Sequence, residues 1–218
     1  IMANTLHSLP SNTAHNKPVV LKGTPRNDVL HGSLGHTTFY GGLGDDIYYS
    51  KNADDTIVEY ANEGNDTVYT DTTFTLPTHV ENLTLEGNGN TFGFGNNSNN
   101  ILIGNSGNNR LSGEEGNDFL YGMGGNDTLS GGNGNDHLNG GDGDDYLAGG
   151  LGSDTIITGA GRDTVAFTAA DIREGSIDRL LDFNPDTDKL DLSGMRSLLT
   201  GSNANLSWSK MFVEKDPE

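Results

Sequence analysis

From residue 95 to residue 165 the chain repeats one nine-residue phrase with no insertion. The clearest copy is "GGNGNDHLN", residues 131–139. It has glycine at the first, second and fourth places, aspartate at the sixth and an aliphatic residue at the eighth. In steps of nine, the sixth place reads Asn100, Asn109, Asp118, Asp127, Asp136, Asp145, Asp154, Asp163. The eighth reads Leu102, Leu111, Leu120, Leu129, Leu138, Leu147, Ile156, Val165. A period this strict decides the architecture, because each copy is one unit that buries nothing until it stacks on its neighbours. Each unit divides into a six-residue glycine-rich turn and a three-residue strand centred on the aliphatic place. Side chains alternate across a strand, so one inward residue per strand is enough to build a core.

A looser block precedes this one: "GTPRNDVLH", "GSLGHTTFY", "GGLGDDIYY", "SKNADDTIV" and, two residues late, "EGNDTVY". Its sixth places are Asp28, Thr37, Asp46, Asp55 and Asp66. Residues 70–94 join the two blocks and alternate apolar and polar around Val80, Leu83 and Leu85, which reads as strand. The chain therefore divides into an N-terminal extension (1–22), a first repeat block (23–69), connecting strands (70–94), a second repeat block (95–165) and a C-terminal segment (166–218). The ending "MFVEKDPE" is abrupt and reads as part of a longer chain.

Composition sets the energetic problem. Only 32% of residues are hydrophobic, against 32 glycines and a single tryptophan. That is little apolar surface to offset the entropy of ordering the chain. The net charge of −19 excludes nucleic acid as a partner and calls for neutralisation, for which divalent cations are the natural means. The chain has no cysteine, which removes disulfides and thiolate metal sites. The first residues lack the apolar stretch of a Sec signal peptide, and no apolar run approaches the roughly 20 residues of a membrane span.

The phrase G-G-x-G-x-D-x-U-x is the calcium-binding repeat of RTX proteins, and residues 131–139 match it at every defined place. From about 23 to 165 the chain resembles an RTX domain of bacterial type I-secreted proteins. The resemblance implies an all-β parallel β-roll, a solenoid with two repeats per 18-residue coil and several Ca2+ ions between stacked turns. On that arrangement Leu102, Leu120, Leu138 and Ile156 stack on one sheet and face Leu111, Leu129, Leu147 and Val165 on the other.

The residue types suit that task. Glycine permits positive φ and close backbone approach, so turn carbonyls can face a cation. Calcium takes about 6–8 oxygen ligands from carbonyls and carboxylates. The metal-site residues expected on these grounds are, in the first block, Asp28, Asp46 and Asp55. In the second block they are Asp118, Asp127, Asp136, Asp145, Asp154 and Asp163, with Gly113, Gly116, Gly122, Gly125, Gly131, Gly134, Gly140, Gly143, Gly149, Gly152 and Gly161 supplying turn backbone. Turns on the same side lie 18 residues apart, so Asp136 and Asp145 have an aspartate partner on both sides and Asp163 on one side only. Ten acids and one basic residue, Arg162, lie between 113 and 163. Without metal these carboxylates repel, and binding then carries much of the folding free energy.

After Val165 the period stops. Residues 166–195 read as a β cap, with Ile177, Leu180, Leu181 and Phe183 before a turn and Leu190 and Leu192 after it. "DRLLDF" and "DKLDLSGM" resemble the segment that follows the repeats in serralysin-type proteases and alginate epimerase modules. Asp182, Asn184, Asp186 and Asp188 imitate the start of an EF-hand loop, but Thr187 and Ser193 stand where its glycine and glutamate belong. Neither H-E-x-x-H nor G-x-S-x-G occurs, so no enzymatic chemistry is expected. The sequence reads as a secreted, extracellular bacterial calcium-binding module that folds on Ca2+ after passing a type I secretion apparatus and supports a larger protein. The alternative is a calcium-stabilised module that binds extracellular polysaccharide through Tyr48, Tyr49, Phe119, Tyr121 and Tyr146, read as exposed aromatics.

Overall fold

The computed structural model describes residues 4–7, 18–168, 171, 176–195 and 212–213. Every regular element among them is a β-strand, and every strand-to-strand pairing is parallel. One wall is a continuous eleven-stranded sheet. It begins at Asn4–His7, Asp28–His31, Ile47–Ser50, Thr67–Thr70 and Asn82–Leu85. It continues through Ile101–Ile103, Phe119–Tyr121, His137–Asp142 and Thr155–Ala160 to Arg179–Leu180 and Phe212–Val213. The opposite wall comes in two pieces. One has three strands, Val19–Lys22, Thr37–Tyr40 and Thr56–Val58, and the other has seven, from Phe74–Thr75 to Lys189–Gly194. This is the expected all-β parallel roll.

The register follows the period. Leu102, Leu120, Leu138 and Ile156 pair in succession on the long wall. Leu111, Leu129, Leu147 and Val165 do so on the facing one. All eight are fully buried. Each buried side chain of this kind contributes about 1.5–3 kcal/mol, so the ladder is a real but narrow source of stability. The strands run longer than three residues where repeats are most regular, as in Thr128–Asn133 and His137–Asp142. Pairing continues through Gly132 with Gly150 and Gly141 with Gly159, because these corners superpose closely enough to hydrogen-bond.

Residues 70–94 are coils of the same roll. Asn82–Leu85 lies between Thr67–Thr70 and Ile101–Ile103 in the long wall. The break falls on the other wall, between Thr56–Val58 and Phe74–Thr75. There the two extra residues of the late repeat are taken up by a turn in which Tyr60 N donates to Glu63 Oε2 (2.7 Å). Both walls also reach into the stretch before residue 23, through Asn4–His7 and Val19–Lys22.

The C-terminal segment adds a further coil. Arg179 and Leu180 pair with Thr155 and Ile156, and Lys189 and Leu190 pair with Thr164 and Val165. Leu180 is buried, and Phe183, Leu190 and Leu192 pack against the core, whereas Ile177 and Leu181 are exposed. The acidic run is a closed turn: Asn184 N donates to Asp188 Oδ2 (2.9 Å) and Asp186 N to Asn184 Oδ1 (3.1 Å).

Candidate metal centre

Each sixth-place aspartate of the second block is at most 2% exposed and splits its two carboxylate oxygens between different tasks. Oδ1 accepts the backbone N–H of the residue 18 places earlier. Asp118 takes it from Asn100 (2.6 Å), Asp127 from Asn109 (2.7 Å) and Asp136 from Asp118 (2.8 Å). Asp145 takes it from Asp127 (2.7 Å), Asp154 from Asp136 (2.8 Å) and Asp163 from Asp145 (2.9 Å). Oδ2 has no hydrogen-bond partner in Asp118, Asp127, Asp136, Asp145, Asp154 or Asp163. Buried polar atoms are almost always satisfied, so a column of bare carboxylate oxygens needs a counter-charge.

The space those oxygens face lies beside the first-place glycines. A Cβ on Gly113 would overlap Asp118 Oδ2 and come within 2.6 Å of the Gly131 carbonyl oxygen. Gly122, Gly131 and Gly140 are set the same way against Asp127, Asp136 and Asp145, each with the carbonyl of the next coil, and Gly149 faces Asp154. Fourth-place glycines do something else. Gly134 has φ of +136°, and a Cβ there would collide with the Gly116 carbonyl, so only glycine lets these turns stack. Gly116, Gly125, Gly143, Gly152 and Gly161 share that positive φ.

An all-oxygen donor set of carboxylate and carbonyl fits a hard cation such as calcium. The residues that would hold it are the aspartates with a bare Oδ2, with the carbonyls converging beside the first-place glycines. Bound calcium would supply the positive charge that makes the ionised carboxylates favourable. Without it, burial pushes Asp127 and Asp136 up to about 7 and Asp118, Asp145 and Asp154 up to about 6, and it raises Asp163. Neighbouring acids add to this, Asp154 and Asp118 in the case of Asp136.

The first block is less uniform. Asp46 Oδ1 accepts from Asp28 N (2.7 Å), and Asp28 Oδ1 and Asp46 Oδ2 are bare. Asp55 accepts from Thr37 N (2.7 Å), but its other oxygen is taken by Ser50 Oγ (2.8 Å), Lys51 N (3.2 Å) and Asn52 N (3.3 Å). Asp55 therefore offers no free oxygen. Asn100 and Asn109 are buried without any bare atom, as their amides bond to the chain itself.

Several participants escape a reading of the period. Asp163 is not the end of its row: its own N–H donates to Asp188 Oδ1 (3.3 Å), and Asp154 N donates to Asp178 Oδ1 (2.9 Å). The segment after Val165 thus extends both aspartate rows at spacings of 25 and 24, which an 18-residue search misses. Burial raises Asp178 to about 7. The fifth place, left undefined in the repeat phrase, forms a second ladder of opposite polarity. Asn135 N donates to Asn117 Oδ1 (2.7 Å) and Ser153 N to Asn135 Oδ1 (2.8 Å), each to the coil before. The frequent Asn before the Asp was the available signal.

Of the five aromatics, Phe119 and Tyr146 are exposed as expected and Tyr121 is half-buried, while Tyr48 and Tyr49 depart from the expectation. Tyr48 is fully buried. Tyr49 is stacked between His31 (4.4 Å) and Tyr69 (5.1 Å), so both of its faces are covered by protein.

Comparison with known families gives one result. The RTX calcium-binding nonapeptide repeat (4 copies) matches residues 22–57, 94–129 and 130–165. No curated protein matches the chain significantly. These repeats bind Ca2+, and the roll they form is a structural calcium-binding module and not a catalytic fold.

Proposed function

With RTX calcium-binding repeats in both blocks as the premise, we propose that the chain is a folding module whose aspartate coils form only when calcium is present. It would accompany a larger secreted protein, remain open where calcium is scarce, pass a type I secretion apparatus and fold outside. Proteins with such repeats are typically secreted bacterial proteins, which supports the setting. The observation that carries the reading is the column of buried, partnerless Oδ2 atoms from Asp118 to Asp163. A leucine ladder one residue wide does not compensate for that many buried charges.

The test is circular dichroism of the isolated chain, first with excess chelator and then with calcium at about 10⁻⁴–10⁻³ M, the range of extracellular calcium modules. A cooperative gain of β-signal is expected with calcium. Magnesium should give little of it, because it demands octahedral geometry and releases its waters reluctantly. A full β-signal in chelator would refute the reading.

A further inference from the structure

Two departures from the repeat phrase meet in space. At the eighth place of residues 41–49, where the second block carries only aliphatic residues, stands Tyr48. At the first place one coil later, 18 residues after Gly41, stands Glu59 in place of glycine. The Tyr48 phenol donates to Glu59 Oε1. A Cβ on Gly41 would overlap Tyr48 Oη, Asp46 Oδ2 and Glu59 Oε1, so three oxygens converge on that glycine.

Asp66 completes the group. Asp46, Glu59 and Asp66 each bring a carboxylate oxygen within 4.8 Å of the others, the one such trio among the described residues. They are 1%, 7% and 0% exposed. Asp46 Oδ2, Glu59 Oε2 and Asp66 Oδ2 all lack a hydrogen-bond partner. Neither salt bridge found among the described residues, Lys51–Glu86 or Arg162–Asp144, involves any of the three. The other oxygens hold the arrangement in place: Asp66 Oδ1 accepts from Asp46 N (2.8 Å), and Asp66 N donates to Glu81 Oε2 (2.9 Å). Three inward carboxylates and a phenol, with no cationic side chain paired to them, make a socket for a hard cation.

We propose that Asp46, Glu59 and Asp66 form a cation site of a different kind from the repeat turns, binding calcium through three carboxylates and filling before the others. Affinity in oxygen sites rises with the number of charged ligands and with rigidity. The repeat turns offer one bare oxygen per aspartate. The site sits where the three-stranded wall ends at Val58 and the two-residue insertion is absorbed, so occupation fastens the coils across that break. Asp46 is shared with the aspartate row, but Glu59 and Asp66 lie outside the matched repeats, and the proposal does not require Asp118–Asp163 to bind calcium.

Terbium is a suitable probe, since it takes calcium-like oxygen sites and its emission is sensitised by a tyrosine at contact distance. In the full chain, the first equivalent of Tb3+ should give tyrosine-sensitised emission that calcium displaces and magnesium does not. Tyr48→Phe should remove most of that emission while the calcium steps persist. Glu59→Gln should weaken the first calcium step by about tenfold or more and leave later steps in place. Glu59→Gly restores the repeat's own residue, with which the other coils fold, and should lose the first step as well. Asp136→Asn is the reciprocal control, lowering later steps and sparing the first. An unchanged first step in both Glu59 variants would overturn the proposal. So would Glu59→Gln that stabilises the metal-free chain at unaltered calcium stoichiometry, since Glu59 would then be a neutral partner of Tyr48. If Asp136→Asn alone has no effect, the repeat-turn reading fails and this site stands.

Discussion

The coils at Asn100 and Asn109 and the coils from Asp118 to Asp163 share the nine-residue step but close their turns differently: Glu114, Met123, Gly132 and Gly141 stand at positive φ in the second place, and Asn96 and Asn105 do not. In both, the sixth residue's N–H is bound by the side chain one coil later. In the asparagine coils the oxygen beside the first-place glycine is Oδ1, and it accepts Asn96 N (2.8 Å) in Asn100 and Asn105 N (2.7 Å) in Asn109, while the amide nitrogen faces the coil before. Asn100 Nδ2 donates to the Glu81 carbonyl (3.1 Å), and Asn109 Nδ2 donates to the Thr91 carbonyl (3.2 Å) and Asn105 Oδ1 (3.1 Å). In the aspartate coils the oxygen beside the first-place glycine, Oδ2, has nothing to accept from. The amide closes its turn with hydrogens of its own, whereas the carboxylate requires an external positive charge. The asparagine coils are also flanked by the thicker part of the core, with Phe74, Leu76, Val80, Leu83 and Leu85 buried beside Leu102 and Leu111. One region is built to be self-sufficient and the other to be conditional.

The strongest way to probe the difference is to protonate the conditional region. Asp118, Asp145 and Asp154 are raised to about 6, and Asp127 and Asp136 to about 7, chiefly by burial, against about 3.9 in an unfolded chain. A carboxyl whose folded value is raised favours the fold below its unfolded value and loses that contribution as pH rises through the folded value. Metal-free chain should therefore gain β-structure on acidification to about pH 4–5 and lose it as pH rises through about 6–7. Calcium affinity should run the other way, falling as pH drops through the same window. Far-UV circular dichroism of desalted protein, read across pH, checks both directions.

Next in size is removal of one ladder member. Asp136→Ala leaves the Asp118 N–H without its acceptor, a loss of about 1–3 kcal/mol, and takes a bare oxygen from the cradle beside Gly131. Denaturant melts in calcium should show it, together with a lower calcium stoichiometry. Asp163→Ala should cost a comparable amount, because the Asp145 N–H loses its acceptor and the row runs on to Asp188. A far milder Asp163→Ala would mean that the row ends there after all.

A pair of exchanges sharpens the comparison directly. Asp136→Asn keeps an Oδ1 for the Asp118 N–H and puts an amide where the bare Oδ2 stands, so the metal-free roll should become more stable while calcium stoichiometry falls. Asn109→Asp should do the reverse, extending the conditional region by one turn. Isothermal titration and metal-free melts of both decide it, and shifts of like sign in the two variants would contradict this difference between amide and carboxylate. The smallest effect belongs to the outer ladder. Asn117→Ala removes the acceptor of Asn135 N at an exposed position where water substitutes, so the cost should be about 0.5 kcal/mol, read from the melting midpoint.

The roll, its 18-residue coil and the two leucine ladders are legible in the sequence because each rests on an unbroken nine-residue step. What the period hides is what departs from it. Asp178 and Asp188 sit at longer spacings behind an insertion, and Glu59 occupies a place where the phrase asks for glycine. Asp55 has the expected letter and the wrong surroundings, since Ser50 and two backbone amides occupy its oxygen. The fate of Tyr48 depended on Gly41 leaving room for its hydroxyl. In each case the deciding fact is a neighbour that the nine-residue step does not specify.

The most direct test of the central claim is residue-resolved amide hydrogen exchange in calcium and in chelator at neutral pH. The amides of Phe119, His137 and Thr155, bonded to Asn100, Asp118 and Asp136 carbonyls, report on the aspartate coils. Those of Ile101 and Arg110, bonded to Glu81 and Thr91 carbonyls, report on the asparagine coils. Chelation should cut protection of His137 and Thr155 by about 100-fold or more, the scale set by a site held well above its dissociation constant. Ile101 and Arg110 should keep most of theirs. Equal loss at all five amides, or no loss at His137 and Thr155, would contradict the account.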